Sequence, residues 1–155
     1  MKLKPLLIDR FIDERAMKRS LQSVLDTTAK DVKKDFEKTT ATWNHNPRFS
    51  IFRSRSWERE ISTDSEIYGY VDEGTSPHEI RPRNRVLVFK GSYRPKTRIR
   101  TIGASSGGSS GAPVFTSKPV QHPGTEAREF SDMLQQEWGK ELEERMQAVI
   151  NKEVN

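Results

Sequence analysis

Apolar residues recur at intervals of three, four and seven between positions 9 and 40: Phe11, Ile12, Leu21, Val24, Leu25, Val32 and Phe36. Charges fill the intervening positions, among them Asp31, Lys33, Lys34, Asp35, Glu37 and Lys38. This spacing predicts an amphipathic helix from about Asp9 to Thr40, with a break near Ser20. The run Trp43-Asn44-His45-Asn46-Pro47 stops it, because the residue before a proline avoids helical backbone. Residues 48–72 change character. Phe49 and Ile51 alternate with polar neighbours, and Trp57, Ile61, Ile67, Tyr68, Tyr70 and Val71 follow. Aromatic and β-branched side chains at this density predict strands. Gly74, Pro77, Pro82 and Asn84 punctuate 73–84 and predict a loop. The run R-V-L-V-F-K, Arg85 to Lys90, is the clearest strand, and the basic stretch 91–100 extends it.

Residues 103–112 read G-A-S-S-G-G-S-S-G-A. Glycine and serine at that density bury no apolar surface, which predicts a mobile tip. The tip belongs to a hairpin arm from about Lys90 to Val120, with Val114 and Phe115 on the returning strand and V-Q-H-P-G-T at its end. A last helix is predicted from about Glu126 to Lys152. Its stripe is Phe130, Leu134, Trp138, Leu142, Met146, Val149 and Ile150. Thr125 is its expected N-cap, with Glu126 and Glu129 in an acidic first turn. No internal repeat is visible.

The predicted fold is α+β. A helix leads in, a small antiparallel sheet of about four strands follows, and a long C-terminal helix packs its stripe on that sheet. The whole of 1–155 reads as a single domain, with 91–119 as a projecting, flexible, basic and Gly/Ser-rich arm.

Composition sharpens this picture. Only 32% of the 155 residues are apolar and 32% are charged. So lean a core implies long exposed segments or surface that partners cover. The net charge of +5 points to a polyanion or an acidic partner. The absence of cysteine excludes disulfides and thiolate chemistry. No apolar run approaches the roughly 20 residues that span a bilayer, so no membrane partner is expected. The N-terminal M-K-L-K-P-L-L-I-D-R is interrupted at Asp9, too early for a secretory signal, so synthesis and use in a cytosol are expected.

Candidate chemistry is sparse. His45, His78 and His122 lie in separate polar turns without metal-ligand spacing. The serines at 105–110 lack both a base and a rigid frame. Gly103 to Gly111 contains no lysine and opens no helix, so it is not a phosphate loop. The pairs Asp72/Glu73 and Glu143/Glu144 assemble no general acid and base. No catalytic residue, cofactor or metal is expected. Charge placement is the strongest anomaly. Arg81, Arg83, Arg85, Lys90, Arg94, Lys96, Arg98 and Arg100 run without an acid among them, whereas the last helix is net acidic. If 94–100 is extended, Arg94, Lys96, Arg98 and Arg100 share one face. Such a row suits nucleic-acid phosphates, or the acidic face of a neighbouring copy or partner, or a solvated strand edge.

The order Y-V-D-E-G-T-S-P-H-E-I-R-P (70–82), R-V-L-V-F (85–89), an insertion, V-Q-H-P-G-T-E-A-R-E-F (120–130) and a long helix resembles the small neck proteins of tailed bacteriophages. These are tail-completion or head–tail joining components. Gly74 and Thr75, Ile80 and Pro82, Leu87 to Phe89, and His122 to Thr125 stand at the matching places. The resemblance covers about 65–150 well and the N-terminal helix loosely, and the order of its short motifs carries it. The plain Gly/Ser-rich insertion departs from the pattern.

What the resemblance implies is a non-enzymatic virion part, assembled in the host cytoplasm. It would form a homo-oligomeric, commonly hexameric, ring at the head–tail junction. Its neighbours would be a connector or stopper and a tail terminator or tube, with phage DNA in the channel. The arm cations Arg94, Lys96, Arg98 and Arg100 would face a partner or that DNA. Gly74, Thr75, Pro77, Pro82, His122, Pro123, Gly124 and Thr125 would be shape-setting turns at the two ends of one sheet, with His122 in a structural hydrogen bond. The alternatives are a tail terminator capping the tube, or a basic nucleic-acid-binding accessory protein.

Overall fold

Helix α1 runs unbroken from Glu14 to Thr40 in the computed structural model, which describes residues 13–154 apart from 93, 105 and 106. The expected helical positions Phe11 and Ile12 and the tip serines Ser105 and Ser106 lie outside the described residues. Asp13 opens α1. Its carboxylate accepts from the backbone N–H of Arg15 at 2.9 Å and of Ala16 at 3.0 Å, satisfying donors that a helix start leaves unpaired. No break occurs at Ser20.

Strands β1 (Ser50–Arg55) and β2 (Glu58–Ser62) form a hairpin in which Ile51 faces Ile61. The next segment corrects the expectation of a strand. Residues Glu66–Asp72 form a short helix, α2, capped by the Ser65 hydroxyl accepting from Tyr68 N–H at 3.2 Å. On a strand, Tyr68 and Tyr70 would share a face. Here Tyr68 is 6% exposed and Tyr70 is 55% exposed, as the helical turn that separates them allows.

The expected loop at 73–84 contains strand β3 (His78–Ile80). Then come β4 (Leu87–Lys90), β5 (Pro113–Thr116), β6 (Val120–His122) and helix α3 (Phe130–Val154). The single sheet of about four strands is also corrected. The strands pair as three separate antiparallel ribbons, β1 with β2, β3 with β6 and β4 with β5. β3 is only three residues long and lies between Pro77 and Pro82, neither of which can donate to a ladder.

Phe36 of α1, Phe49, Tyr68 of α2, and Phe130 and Leu134 of α3 form the core, with Trp43, Val71 and Trp138 packed around it. Phe36 and Phe49 stack at 5.0 Å, and Tyr68 meets Phe49 edge-on at 5.2 Å. Helix α3 packs along α1 rather than across a sheet. Trp138 donates its indole N–H to Asp35 at 3.0 Å, and the Arg145 guanidinium lies 5.2 Å from the Trp138 ring. Arg145 also pairs with Asp31 at 3.0 Å. These contacts hold one side of each helix, so the α3 stripe is fully buried only at Phe130 and Leu134.

Segment 91–119 is joined to the body. Gly91 and Ala112 extend the β4–β5 ladder by one bond, and Arg94 pairs with Ser109 through two backbone bonds of 2.7 and 3.2 Å. Beyond that point Lys96 donates to the Thr42 carbonyl at 2.6 Å and to the Asn44 side chain at 3.2 Å. Thr97 is buried, and Gly103 N–H donates to the Thr39 hydroxyl at 3.0 Å.

Candidate assembly interface

The two glycine–threonine turns, fifty positions apart in sequence, meet in space. Thr75 and Thr125 exchange backbone hydrogen bonds of 2.9 and 3.0 Å, and Thr125 N–H also reaches the Thr75 hydroxyl at 3.0 Å. They stand side by side, which corrects the picture of corners at opposite ends of a sheet. Gly74 follows the end of α2 with φ of 77°, and Gly124 has φ of 89°. Both values favour glycine. The opposing chain also passes too close for a side chain. A Cβ on Gly74 would lie 2.6 Å from the Thr125 carbonyl oxygen, and one on Gly124 would strike the Thr75 carbonyl oxygen.

From this seam β3 and β6 leave in register. His78 faces His122, and their rings stack with centroids 5.0 Å apart. His122 Nδ1 accepts from Gly124 N–H at 3.0 Å, and His78 Nδ1 lies 2.9 Å from the Ser76 carbonyl. Pro77 precedes β3, Pro82 follows it, and Pro123 turns the chain between β6 and the seam. All eight turn residues thus border one ribbon, except that Pro82 stands at its far end.

The row of arm cations does not form as an alternating face. Arg100 has φ of 50°, which no extended strand adopts, and its guanidinium pairs with Glu129 at 2.7 Å. Lys96 turns instead to α1's exit, with two of its N–H groups bonded there. Arg94 and Arg98 are exposed and make no ion pair among the described residues, and the same holds for Arg83, Arg85 and Lys90. Arg81 pairs with Glu79 at 2.5 Å.

The feature missed in sequence is the β4–β5 ribbon as a surface. Val88 faces Phe115, and Phe89 faces Val114 on the opposite side of the ladder. Every one of these side chains is exposed, Phe115 by 67% and Val88 by 55%. The unbroken apolar run Val86 to Phe89 was the available signal. It predicts a strand covered on both faces, whereas here the Val88–Phe115 face is largely open and the other, with Val114 40% and Phe89 37% exposed, is partly open. Arg83, Arg85 and Lys90 flank it.

Among the described residues no cluster of histidine and carboxylate side chains could hold a metal ion, and no helix is long and apolar enough to cross a membrane. Two carboxylates near the seam have structural partners: Asp72 accepts from the N–H of Phe130 and Ser131, and Glu79 binds Arg81 and Gln121. No family model, no curated protein and no solved structure matches the chain.

Proposed function

We propose that the chain is a non-enzymatic structural subunit of a tailed-phage virion, forming a hexameric ring at the head–tail junction and completing the tail. The observation that carries this reading is the β4–β5 ribbon, which exposes apolar side chains on both faces. An apolar ribbon open on two sides is hidden only when neighbours sandwich it, which is what a ring of copies or a stack of neck proteins supplies. The lean apolar composition supports the same reading, as does the order of the G-T, I-x-P and H-P-G-T motifs. In this reading the ribbon packs onto a neighbouring subunit or a stopper, terminator or tube protein. Capping of the tube as a tail terminator is the nearest variant of the proposal.

Deleting the gene from the parent phage and imaging the lysate by electron microscopy tests it. Filled heads beside separate tails, or joined particles with malformed necks, are expected. Normal infectious particles would defeat the proposal.

A second reading rests on Arg83, Arg85, Lys90, Arg94 and Arg98, cations with no carboxylate partner among the described residues. They suit phosphates, either of DNA in the channel or of a nucleic acid bound by a free accessory protein. Steeply salt-dependent DNA binding by the free protein, together with normal virions from the deletion phage, would put the accessory role ahead.

A further inference from the structure

A cleft of about 540 Å³ opens between the end of α1 and the Thr75–Thr125 seam. Its apolar wall is Trp43, Ile67 and Val71, and Lys96 and Arg128 line it as well. Arg128 is the anomaly. It is only 7% exposed, its Nε is sealed from solvent without an acceptor, and its guanidinium makes no ion pair among the described residues. Its backbone is well held, with N–H donating to Val71 and Asp72 carbonyls at 3.1 and 3.0 Å. The position is therefore ordered while the charge is uncompensated. A buried cation without a counterion is expensive, and arginine's rigid fork is shaped for a two-oxygen anion. Lys96 adds a second positive charge, since its two bonds to Thr42 and Asn44 leave a third N–H. Glu126 lines the cleft too, but it is exposed and forms no ion pair with Arg128.

We infer that this cleft is a docking site for an acidic side chain of a partner polypeptide, with the carboxylate on Arg128 and an adjoining apolar side chain against Trp43, Ile67 and Val71. Charge complementarity selects the anion, and the apolar wall selects a carboxylate carried on hydrophobic flesh over a bare phosphate. The volume exceeds what a carboxylate alone fills. The inference holds whether or not the chain sits in a virion neck, since it rests on Arg128 and the cleft alone.

The full chain, isotope-labelled, is titrated with phenylacetate, phenylacetamide, inorganic phosphate and a blocked peptide carrying aspartate beside phenylalanine. Backbone NMR shifts at 95–97 and 122–128 report binding. Saturable shifts are expected with phenylacetate, at least about tenfold weaker with the neutral amide or phosphate, and at least about tenfold tighter with the peptide. Arg128→Gln should weaken the peptide at least about tenfold, and Ile67→Ala about threefold, while Lys30→Gln, an exposed cation on α1 outside the cleft lining, should change nothing. Ile67→Ala removes a half-exposed side chain, so it keeps the test informative if Arg128→Gln misfolds. Equal losses in Arg128→Gln and Lys30→Gln would reveal diffuse surface charge and overturn the site. So would the absence of saturable shifts. Equal affinity for phenylacetate and the peptide would overturn the polypeptide occupant. Self-association that Arg128→Gln abolishes would replace the foreign partner with a second copy.

Discussion

The carboxylate of Asp72 caps helix α3 from 58 residues upstream, accepting from Phe130 N–H at 2.5 Å and Ser131 N–H at 3.2 Å. The capping side chain thus arrives from the last residue of α2, not from Thr125, which pairs with Thr75 well before α3 begins at Phe130. It joins the two helices that carry Tyr68 and Phe130 of the core, and Tyr68's hydroxyl lies 3.2 Å from that of Ser131. Charge-assisted bonds to a buried carboxylate contribute more than neutral ones. Asp72→Ala is expected to destabilise the protein by about 2–3 kcal/mol, measured as a lowered urea midpoint. Asp72→Asn keeps one acceptor and should lose less.

The glycines separate by environment. Gly74→Ala and Gly124→Ala each force a Cβ into the opposing turn at positive φ. Each should cost about 2 kcal/mol or more and open the Thr75–Thr125 seam. Gly139 lies within α3 with nothing near its would-be Cβ. Gly139→Ala should therefore stabilise by about 0.5–1 kcal/mol. Thermal melts of the three variants give both signs in one experiment.

The contrast between these sites shows what was readable in the chain. α1 and α3 are legible because their apolar residues keep helical spacing over many turns. α2 is not, because Ile67, Tyr68, Tyr70 and Val71 satisfy both a strand and one helical turn. What separates them is burial of Tyr68 with exposure of Tyr70, a tertiary fact. The start of α3 is missed for a similar reason, as its cap comes from a distant residue. The turns at Gly74 and Gly124 are legible as punctuation, but nothing local says that they touch. Pairing of β3 with β6, and of β4 with β5, is likewise long-range, so one imagined sheet becomes three ribbons. Arg128 carries no sequence signal at all, since its interest lies in the partner it lacks.

Acid should weaken the fold through two carboxylates on α1. Arg145 first, and Lys34 second, hold the Asp31 carboxyl below its ordinary range by hydrogen bonding. The hydrogen bond from Arg59, aided by charge from Arg59 and Arg53, does the same for Asp26 against the opposing cost of burial. A carboxyl depressed in the folded state binds fewer protons there than in the unfolded chain. Its stabilisation is complete above about pH 5 and is lost as pH falls through the ordinary carboxylate range toward the lowered folded value. The urea midpoint should fall along that window. These groups are partly solvated, so Arg145→Gln should remove less than about 1 kcal/mol through the Asp31 pair and make the acid limb shallower. An unchanged acid limb in that variant would mean that the pair adds nothing.

Phe115 offers the sharpest separation of folding from assembly. It is two-thirds exposed and touches the core nowhere, so Phe115→Ser should alter monomer stability by no more than about 0.5 kcal/mol. As an aromatic anchor at a subunit contact, its loss should cost about 2 kcal/mol per contact, roughly a thirtyfold weaker association. Val114→Thr tests the other face of the same ladder, where Val114 lies opposite Phe89. Sedimentation and native mass spectrometry, run beside urea melts, read both quantities. If both faces are sandwiched, each variant weakens assembly and the pair together abolishes it. If only Phe115→Ser acts, one neighbour covers one face and the other stays open. Association untouched by either change would place the subunit contacts away from the ribbon and remove the observation on which the ring reading rests.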